Sequence, residues 1–160
     1  MRLTSAIHRM GVTFALVITG MLASVSIAGP VLDRVKASGT VRVCIWPDYY
    51  GITFRNPRTE QLGGIDIDLS SEFAKTLGVK LQYVESSFST MIDDLSSDRC
   101  DISMHAVGVT PQRQLKLRFS QPYLQSDIYG VTTRGNRLVR NWEDIDRPGV
   151  RVAVQSGTFM

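Results

Sequence analysis

The sequence predicts an α/β fold with a parallel sheet at its centre. Segments whose apolar residues alternate, as in strands, take turns along the chain with segments whose apolar residues have helical spacing. The chain has 160 residues, of which 43% are apolar and 21% charged, the composition of a soluble globular protein with one sizeable core. Alternation of this kind places helices on both faces of a parallel sheet.

Glycine and proline mark the ends of the elements in the first part of the chain. Pro47 ends the first strand, Gly78 stops a helix, and Gly108 bounds a later strand. In order, we predict a helix over 31–37, a strand over 40–46, hairpin arms over 52–54 and 62–65, a helix over 69–77, a strand over 79–83, a helix over 88–95 and a strand over 100–107.

The sequence pattern of the later part of the chain predicts the start of a second structural unit. Thr110 and Pro111 open a short helix, with the threonine as N-cap and the proline at the first helical position. Further along we predict extended residues over 117–120, strands over 128–133 and 150–155, a polar turn or short helix over 141–146 and a turn over 156–158. A parallel strand needs a crossover to cover it. We therefore expect residues 29–125 to form a first lobe and residues 126–160 to begin a second, incomplete one.

The first 28 residues have the pattern of a secretory signal peptide. Arg2 and Arg9 form a basic start, an apolar run follows over 11–22, and Ser26 and Ala28 supply the small residues of a cleavage site. An uncleaved membrane anchor is the alternative, although the run is short for a bilayer span. We expect export to the periplasm and a mature chain that starts at Gly29.

Removal of residues 1–28 also changes the charge of the chain. Two of the 18 lysines and arginines lie in that segment and none of the 15 acidic residues does, so the net charge of +3 falls to near neutrality. The remaining basic residues are scattered, whereas a nucleic-acid interface gathers them on one face. We therefore expect no nucleic-acid partner.

The two cysteines leave their redox state open. Export makes a disulfide between Cys44 and Cys100 chemically available, and both fall on predicted strands of one sheet. Alignment of those strands leaves the cysteines about three residues out of step, roughly 10 Å, which exceeds the usual Cα separation of a disulfide. Two buried thiols fit the sequence equally well.

Three segments meet where ligands bind in open α/β sheets, at the carboxyl ends of the strands. They are residues 46–50, residues 105–110 and residues 155–158. Thr110, the last residue of the second segment, is one of the predicted ligand-binding residues. Arg113 follows one turn into the next helix, beside the amino-terminal N–H groups. A guanidinium in that position suits a carboxylate, because it binds both oxygens. From its position alone, Arg113 fits a solvated helix surface as well.

Several motifs together resemble a known family. They are GIDIDL over 64–69, the Asp101-Ile102 pair, TPQR over 110–113, FSQPY over 119–123 and VAVQSGT over 152–158. The pattern, from residue 40 to 158, resembles the family-3 extracellular solute-binding proteins, the amino-acid receptors of ABC importers. The resemblance implies the periplasmic-binding-protein-like (type II) two-lobe fold, with the ligand held in the cleft between the lobes.

The same resemblance implies a set of ligand-binding residues. Arg113 binds the ligand α-carboxylate, Tyr49 and Phe88 cover the ligand, the stretch from His105 to Gly108 contributes backbone and hydroxyl groups, and the turn at Gly157-Thr158 offers N–H groups from the other lobe. Phe159 and two further aromatics, Trp46 and Tyr50, make the implied cleft aromatic, which favours a ligand with apolar surface.

This chain also departs from the family pattern. His105, Ala106 and Gly108 stand where the family often has serine or threonine, so fewer hydroxyls face the ligand. His105 either replaces a polar group of the site or packs beneath the cleft. Asp66 and Asp68 read as helix-entry and turn residues rather than metal ligands, and we expect neither a metal ion nor a cofactor.

The leading functional hypothesis is a binding protein without enzymatic activity. A monomer would capture a small polar solute, most simply an amino acid, and deliver it to a membrane ABC permease. One alternative is an enzyme resembling the periplasmic cyclohexadienyl (prephenate/arogenate) dehydratases, because fold does not settle function. A sensory or accessory module and a product that binds nothing are two others.

Overall fold

A computed structural model describes residues 29–160, so the predicted signal peptide lies outside the described residues. The central sheet has three parallel strands in the order β5–β1–β6. Strand β1 (Thr40–Ile45) pairs with β5 (Lys80–Glu85) on one side and with β6 (Ile102–Ser103) on the other. The predicted α/β architecture with a parallel sheet is confirmed.

Two helices cover one face of β1. Helix α1 (Pro30–Ser38) begins with a proline at its first position, and α2 (Ile65–Leu77) ends at Gly78, whose φ of 69° is the left-handed C-cap expected of glycine. Alternate residues of β1 point to this face. They form the core with the two helices, and the cluster comprises Val35, Val41, Val43, Ile45, Ile67 and Ala74.

A small antiparallel sheet lies between β1 and α2 in the chain. It contains β2 (Asp48–Tyr49), β3 (Thr53–Arg55) and β4 (Leu62–Gly63). The predicted hairpin is therefore confirmed, and β2 is a strand that the sequence pattern did not predict. Gly64 has a φ of 130° and approaches the Ile52 carbonyl so closely that no side chain fits there.

The segment that leads into β6 carries the disulfide. Cys44 and Cys100 are bonded, with their Cα atoms 5.6 Å apart. Cys44 lies opposite Ser103, so the predicted three-residue offset is present, but Cys100 precedes the strand and turns back towards β1. The predicted strand over 100–107 is wrong in length, since only two of its residues pair with β1.

Asp101, next to this disulfide, connects α1 and β1 to the segment that leads into β6. It accepts hydrogen bonds from the backbone N–H of Arg42 at 2.7 Å, from the Arg42 guanidinium at 2.7 and 3.1 Å, and from Arg34 of α1 at 2.8 Å. Burial disfavours the charged carboxylate, but these hydrogen bonds outweigh that cost and lower the pKa of Asp101 to about 2.

Two short helices complete the region around the sheet. Helix α3 (Met91–Ser96) begins three residues later than predicted, so Phe88 lies before it. Helix α4 (Pro111–Gln114) begins as predicted, and the Thr110 hydroxyl accepts a hydrogen bond from the Arg113 backbone N–H at 3.2 Å. No helix among residues 29–160 is long and apolar enough to cross a membrane.

Residues 126–160 contain a 3₁₀ helix (Trp142–Asp144) and, within the described chain, no strand. Residues 117–120 belong to no helix or strand, and the predicted strands over 128–133 and 150–155 are wrong. Their apolar side chains are exposed, Val131 at 97% and Tyr129 at 78%. A strand requires a hydrogen-bonded neighbour, and no described segment pairs with these residues.

Candidate functional site

An aromatic cluster lies at the carboxyl end of β1. The ring centroids of Trp46 and Tyr49 are 5.5 Å apart, and both rings approach Phe88, at 5.5 and 5.9 Å. The Phe88 ring in turn meets the His105 ring edge-on at 4.9 Å. These residues come from three separate segments, and they meet because the carboxyl ends of parallel strands share one edge of the sheet. Their rings give the site an apolar wall.

His105 lies beneath Phe88 and is fully buried. Its Nδ1 lies 3.1 Å from the Ser103 hydroxyl and 3.5 Å from the Cys44 carbonyl oxygen. Its Nε2 is buried and forms no hydrogen bond within residues 29–160. Burial lowers the pKa of His105 to about 4, so the ring is neutral near pH 7.

Arg113 projects from α4 into the same region and is only 7% exposed. Its guanidinium donates hydrogen bonds to the carbonyl oxygens of Gly108 and Gly157, each at 2.8 Å. Burial lowers its pKa from the ordinary value, although a guanidinium stays charged at any physiological pH. Arg113 thus places a buried positive charge between residues 105–110 and the turn near the end of the chain.

That turn, over residues 155–159, packs against the aromatic cluster. Gly157 has a φ of 76°, and a side chain there would collide with the backbone of Phe88 and Ser89. The ring of Phe159 lies over Gly108, where an added Cβ would be 3.2 Å from the ring. Gly157 approaches Arg113 through its carbonyl, a contact that the sequence did not predict, since the resemblance implied N–H groups.

The eight predicted ligand-binding residues fall into two groups. Six of them surround the region between the aromatic wall and the guanidinium: Tyr49, Phe88, His105, Gly108, Arg113 and Phe159. The other two serve local structure. The Thr110 hydroxyl caps α4, and the Thr158 hydroxyl donates to the Gln155 carbonyl within its own turn at 2.7 Å.

Asp66 is a residue of the site region whose contacts the sequence did not predict. Its carboxylate is fully buried and accepts hydrogen bonds from the Ala106 backbone N–H at 2.6 Å and from the Tyr123 hydroxyl at 2.7 Å. Burial and then the hydrogen bond to Asp66 raise the pKa of Tyr123. Asp66 therefore holds the segment that carries His105 and Gly108, whereas Asp68 on the same helix is exposed.

Chemically, the arrangement suits a small anion with an apolar part. A guanidinium that donates two hydrogen bonds has three N–H groups left, and a carboxylate binds two of them. The aromatic rings beside it can cover an apolar group.

Comparison with known proteins identifies relatives of this chain. The model of the bacterial extracellular solute-binding proteins, family 3, matches residues 41–154. The cyclohexadienyl dehydratase of Pseudomonas aeruginosa is 34% identical over 148 residues, which are 89% of this chain and 54% of that protein. The L-cystine-binding protein of Escherichia coli K12 is 29% identical over 149 residues, 93% of this chain and 55% of that protein.

A solved structure shows the same architecture. An ancestral amino acid-binding protein that is a precursor of cyclohexadienyl dehydratase superposes with a TM-score of 0.71 and 36% identity, over 79% of this chain and 56% of that one. The fold is the periplasmic-binding-protein-like (type II) fold, with one lobe and part of the second among the described residues. The chain spans about half the length of the curated relatives that it matches.

One expectation from the sequence requires correction. We expected a protein without enzymatic activity, yet the relative that shares 34% identity is an enzyme. Membership of this group therefore does not separate a receptor from a dehydratase. It does establish the family, because the family model matches residues 41–154, well over half of the chain. The chain belongs to the bacterial extracellular solute-binding proteins, family 3.

Proposed function

We propose that this protein captures a small solute that carries a carboxylate, and that Arg113 binds this group. The observation that carries the proposal is the state of the guanidinium: it is 93% buried, its hydrogen bonds go to two neutral carbonyls, and no salt bridge of residues 29–160 includes it. A buried charge without a counter-charge is costly. A carboxylate bound there offsets that cost, and the aromatic wall excludes water from the pair.

The surroundings of Arg113 support an amino acid with an apolar side chain. Trp46, Tyr49 and Phe88 form one continuous aromatic surface near the guanidinium, and Phe159 adds a ring from the opposite segment. A ligand that pairs with the charge can lay apolar atoms against these rings.

The cellular role follows from the family and from the amino terminus. We propose that residues 1–28 direct export to the periplasm. There, residues 29–125 would act as the first lobe and residues 126–160 as the start of the second. As a monomer, the loaded protein would deliver its ligand to a membrane ABC permease.

A dehydratase related to the Pseudomonas enzyme is the second candidate. It is favoured by the sequence identity, which is 34% to that enzyme and 29% to the cystine-binding protein over nearly the same number of residues. Both candidates use a carboxylate-bearing ligand, so the Arg113 site serves either.

The test combines calorimetry and a turnover assay on the full chain. Single L-amino acids and prephenate are titrated into the protein, and prephenate is also incubated with it and followed by chromatography. Binding of an amino acid without loss of prephenate supports the receptor, whereas prephenate turnover establishes the dehydratase.

Two variants test the role of Arg113. We expect Arg113→Ala to weaken binding of the best ligand by about 2–5 kcal/mol, because one partner of a buried charge pair is lost. Arg118→Ala removes an exposed arginine five residues away and should leave the affinity unchanged. If both variants bind as the wild type does, Arg113 does not contact the ligand.

A further inference from the structure

His105 presents a buried nitrogen for which the fold supplies no partner. The ring is fully buried, and Nε2 has no hydrogen bond within the described part of the chain, residues 29–160. Buried polar atoms of native proteins almost always have a partner, because an unpaired one loses its hydration without replacement. Leucine would fill much of the same space without this unpaired atom.

The hydrogen bonds of the other ring nitrogen define what Nε2 can do. Nδ1 faces the Cys44 carbonyl oxygen at 3.5 Å and the Ser103 hydroxyl at 3.1 Å. The Cys44 carbonyl only accepts and the Ser103 hydroxyl can do either, so the tautomer with its proton on Nδ1 is the one that hydrogen-bonds to both. Burial keeps the ring neutral, with a pKa of about 4. Nε2 is then an acceptor and needs an N–H or O–H donor.

The His105 ring itself lies beside the proposed ligand site, against Phe88. The two nitrogens of an imidazole point to nearly opposite sides, so Nε2 points away from the β1 carbonyl that anchors Nδ1. The ring of His105 also contacts the ring of Phe88, with 4.9 Å between the centroids. The turn that carries Gly157 packs against the backbone of Phe88. The charge of Arg113 is close enough to act on the pKa of His105.

We propose that His105 is a specificity-determining residue, whose Nε2 accepts a hydrogen bond from an amino or hydroxyl group of the ligand that Arg113 holds by its carboxylate. This inference rests on the proposed function and narrows its ligand. The solute must carry a donor group as well as a carboxylate, as amino acids and hydroxy acids do. An acid with no such donor leaves Nε2 unpaired and binds more weakly.

Two variants separate the two nitrogens. In His105→Asn the side-chain amide lies near the position of Nδ1, so contacts with Cys44 and Ser103 can persist while Nε2 is lost. In His105→Gln the longer side chain places its amide near the position of Nε2, so an acceptor for the ligand remains. The probes are L-phenylalanine and 3-phenylpropanoate, which share a carboxylate and a ring and differ in the amino group.

Affinities are measured by calorimetry on the full chain, and only variants with a cooperative melt are compared. We expect the wild type to prefer phenylalanine by at least about tenfold. The ratio of the two affinities should fall at least about fivefold, towards one, in His105→Asn. It should be largely retained in His105→Gln. In ¹⁵N spectra of the imidazole, Nε2 should shift with phenylalanine and not with 3-phenylpropanoate.

The outcomes distinguish this inference from the proposed function. If the wild type binds both probes equally, or if Nε2 does not respond to bound phenylalanine, the role of His105 is refuted and the carboxylate site stands. An unchanged preference in His105→Asn has the same meaning. If neither probe binds the wild type, the proposed apolar amino-acid ligand is wrong, and the inference about His105 fails with it.

Discussion

Loss of the Cys44–Cys100 disulfide should remove a large part of the stability of the sheet. The bond closes a loop with a sequence separation of 56 residues, which contains the small antiparallel sheet, α2, β5 and α3. Cross-linking a loop of this length lowers the entropy of the unfolded chain by about 14 cal/mol/K. At 25 °C this corresponds to about 4 kcal/mol, a large fraction of the stability of an ordinary domain.

The measurement is urea unfolding at pH 7.5, followed by tryptophan fluorescence, with and without a phosphine reductant. For a small protein, a loss of about 4 kcal/mol lowers the urea midpoint by more than about 1 M. The double variant Cys44→Ala/Cys100→Ala is the control, because its unfolding should not respond to the reductant. Both cysteines are buried, so the variant also reports the packing of the two sulfur atoms.

Coinciding midpoints for the oxidised and reduced protein would refute the reasoning. They would mean that the unfolded chain already holds residues 44 and 100 close together, or that the bond does not form. Alkylation of the unfolded, unreduced protein separates these two explanations, because only free thiols react.

Two further predictions concern charge. Asp101→Asn should lower the free energy of unfolding by about 2 kcal/mol at pH 7, because the carboxylate pKa of about 2 lies below its unfolded value. The difference in the free energy of unfolding is complete above about pH 4 and vanishes as the pH falls towards 2. The urea midpoints of variant and wild type should therefore converge at low pH. A difference between the midpoints that stays constant with pH would contradict this role of Asp101. For His105, whose pKa of about 4 lies below the unfolded value, stability should fall by about 3 kcal/mol between pH 6.5 and 4, since only the unfolded chain gains the proton. His105→Gln should lack this dependence, and equal slopes in both proteins would show that His105 is not its origin.

Elements with their own local signals were predictable from the sequence. Strand β1 has the alternation of a buried strand, and α2 has helical spacing with a glycine at its end. The hairpin followed from a turn-rich segment between two apolar pieces. In each case the residues that decide the structure lie within the element or at its boundary.

Elements that depend on distant partners were not predictable. The segments 128–133 and 150–155 have strand-like alternation, but no neighbouring segment pairs with them among residues 29–160. The distance between the cysteines was overestimated because Cys100 leaves the line of β6 before the strand begins. Alternation in a sequence describes one strand, whereas pairing depends on two.

The site shows the same division. Tyr49 and His105 could be placed together because each lies at or after the carboxyl end of a strand, whereas Phe88 was implied by the family resemblance alone. The hydrogen bonds of Asp66 with Ala106 and Tyr123 span 40 and 57 positions in the chain, and no local sequence pattern predicts them. The same holds for the contact between Arg113 and Gly157.

That contact has a thermodynamic consequence. Because the Arg113 guanidinium keeps N–H groups after it has bonded Gly108 and Gly157, a carboxylate can join these contacts without displacing them. Ligand and turn would then share one cation, and the ordering of the guanidinium by either contact would lower the entropic cost of forming the other. The amide hydrogens of the residues around Gly157 would then exchange more slowly when ligand is bound. A single arginine would in this way couple ligand binding to the order of a second part of the molecule.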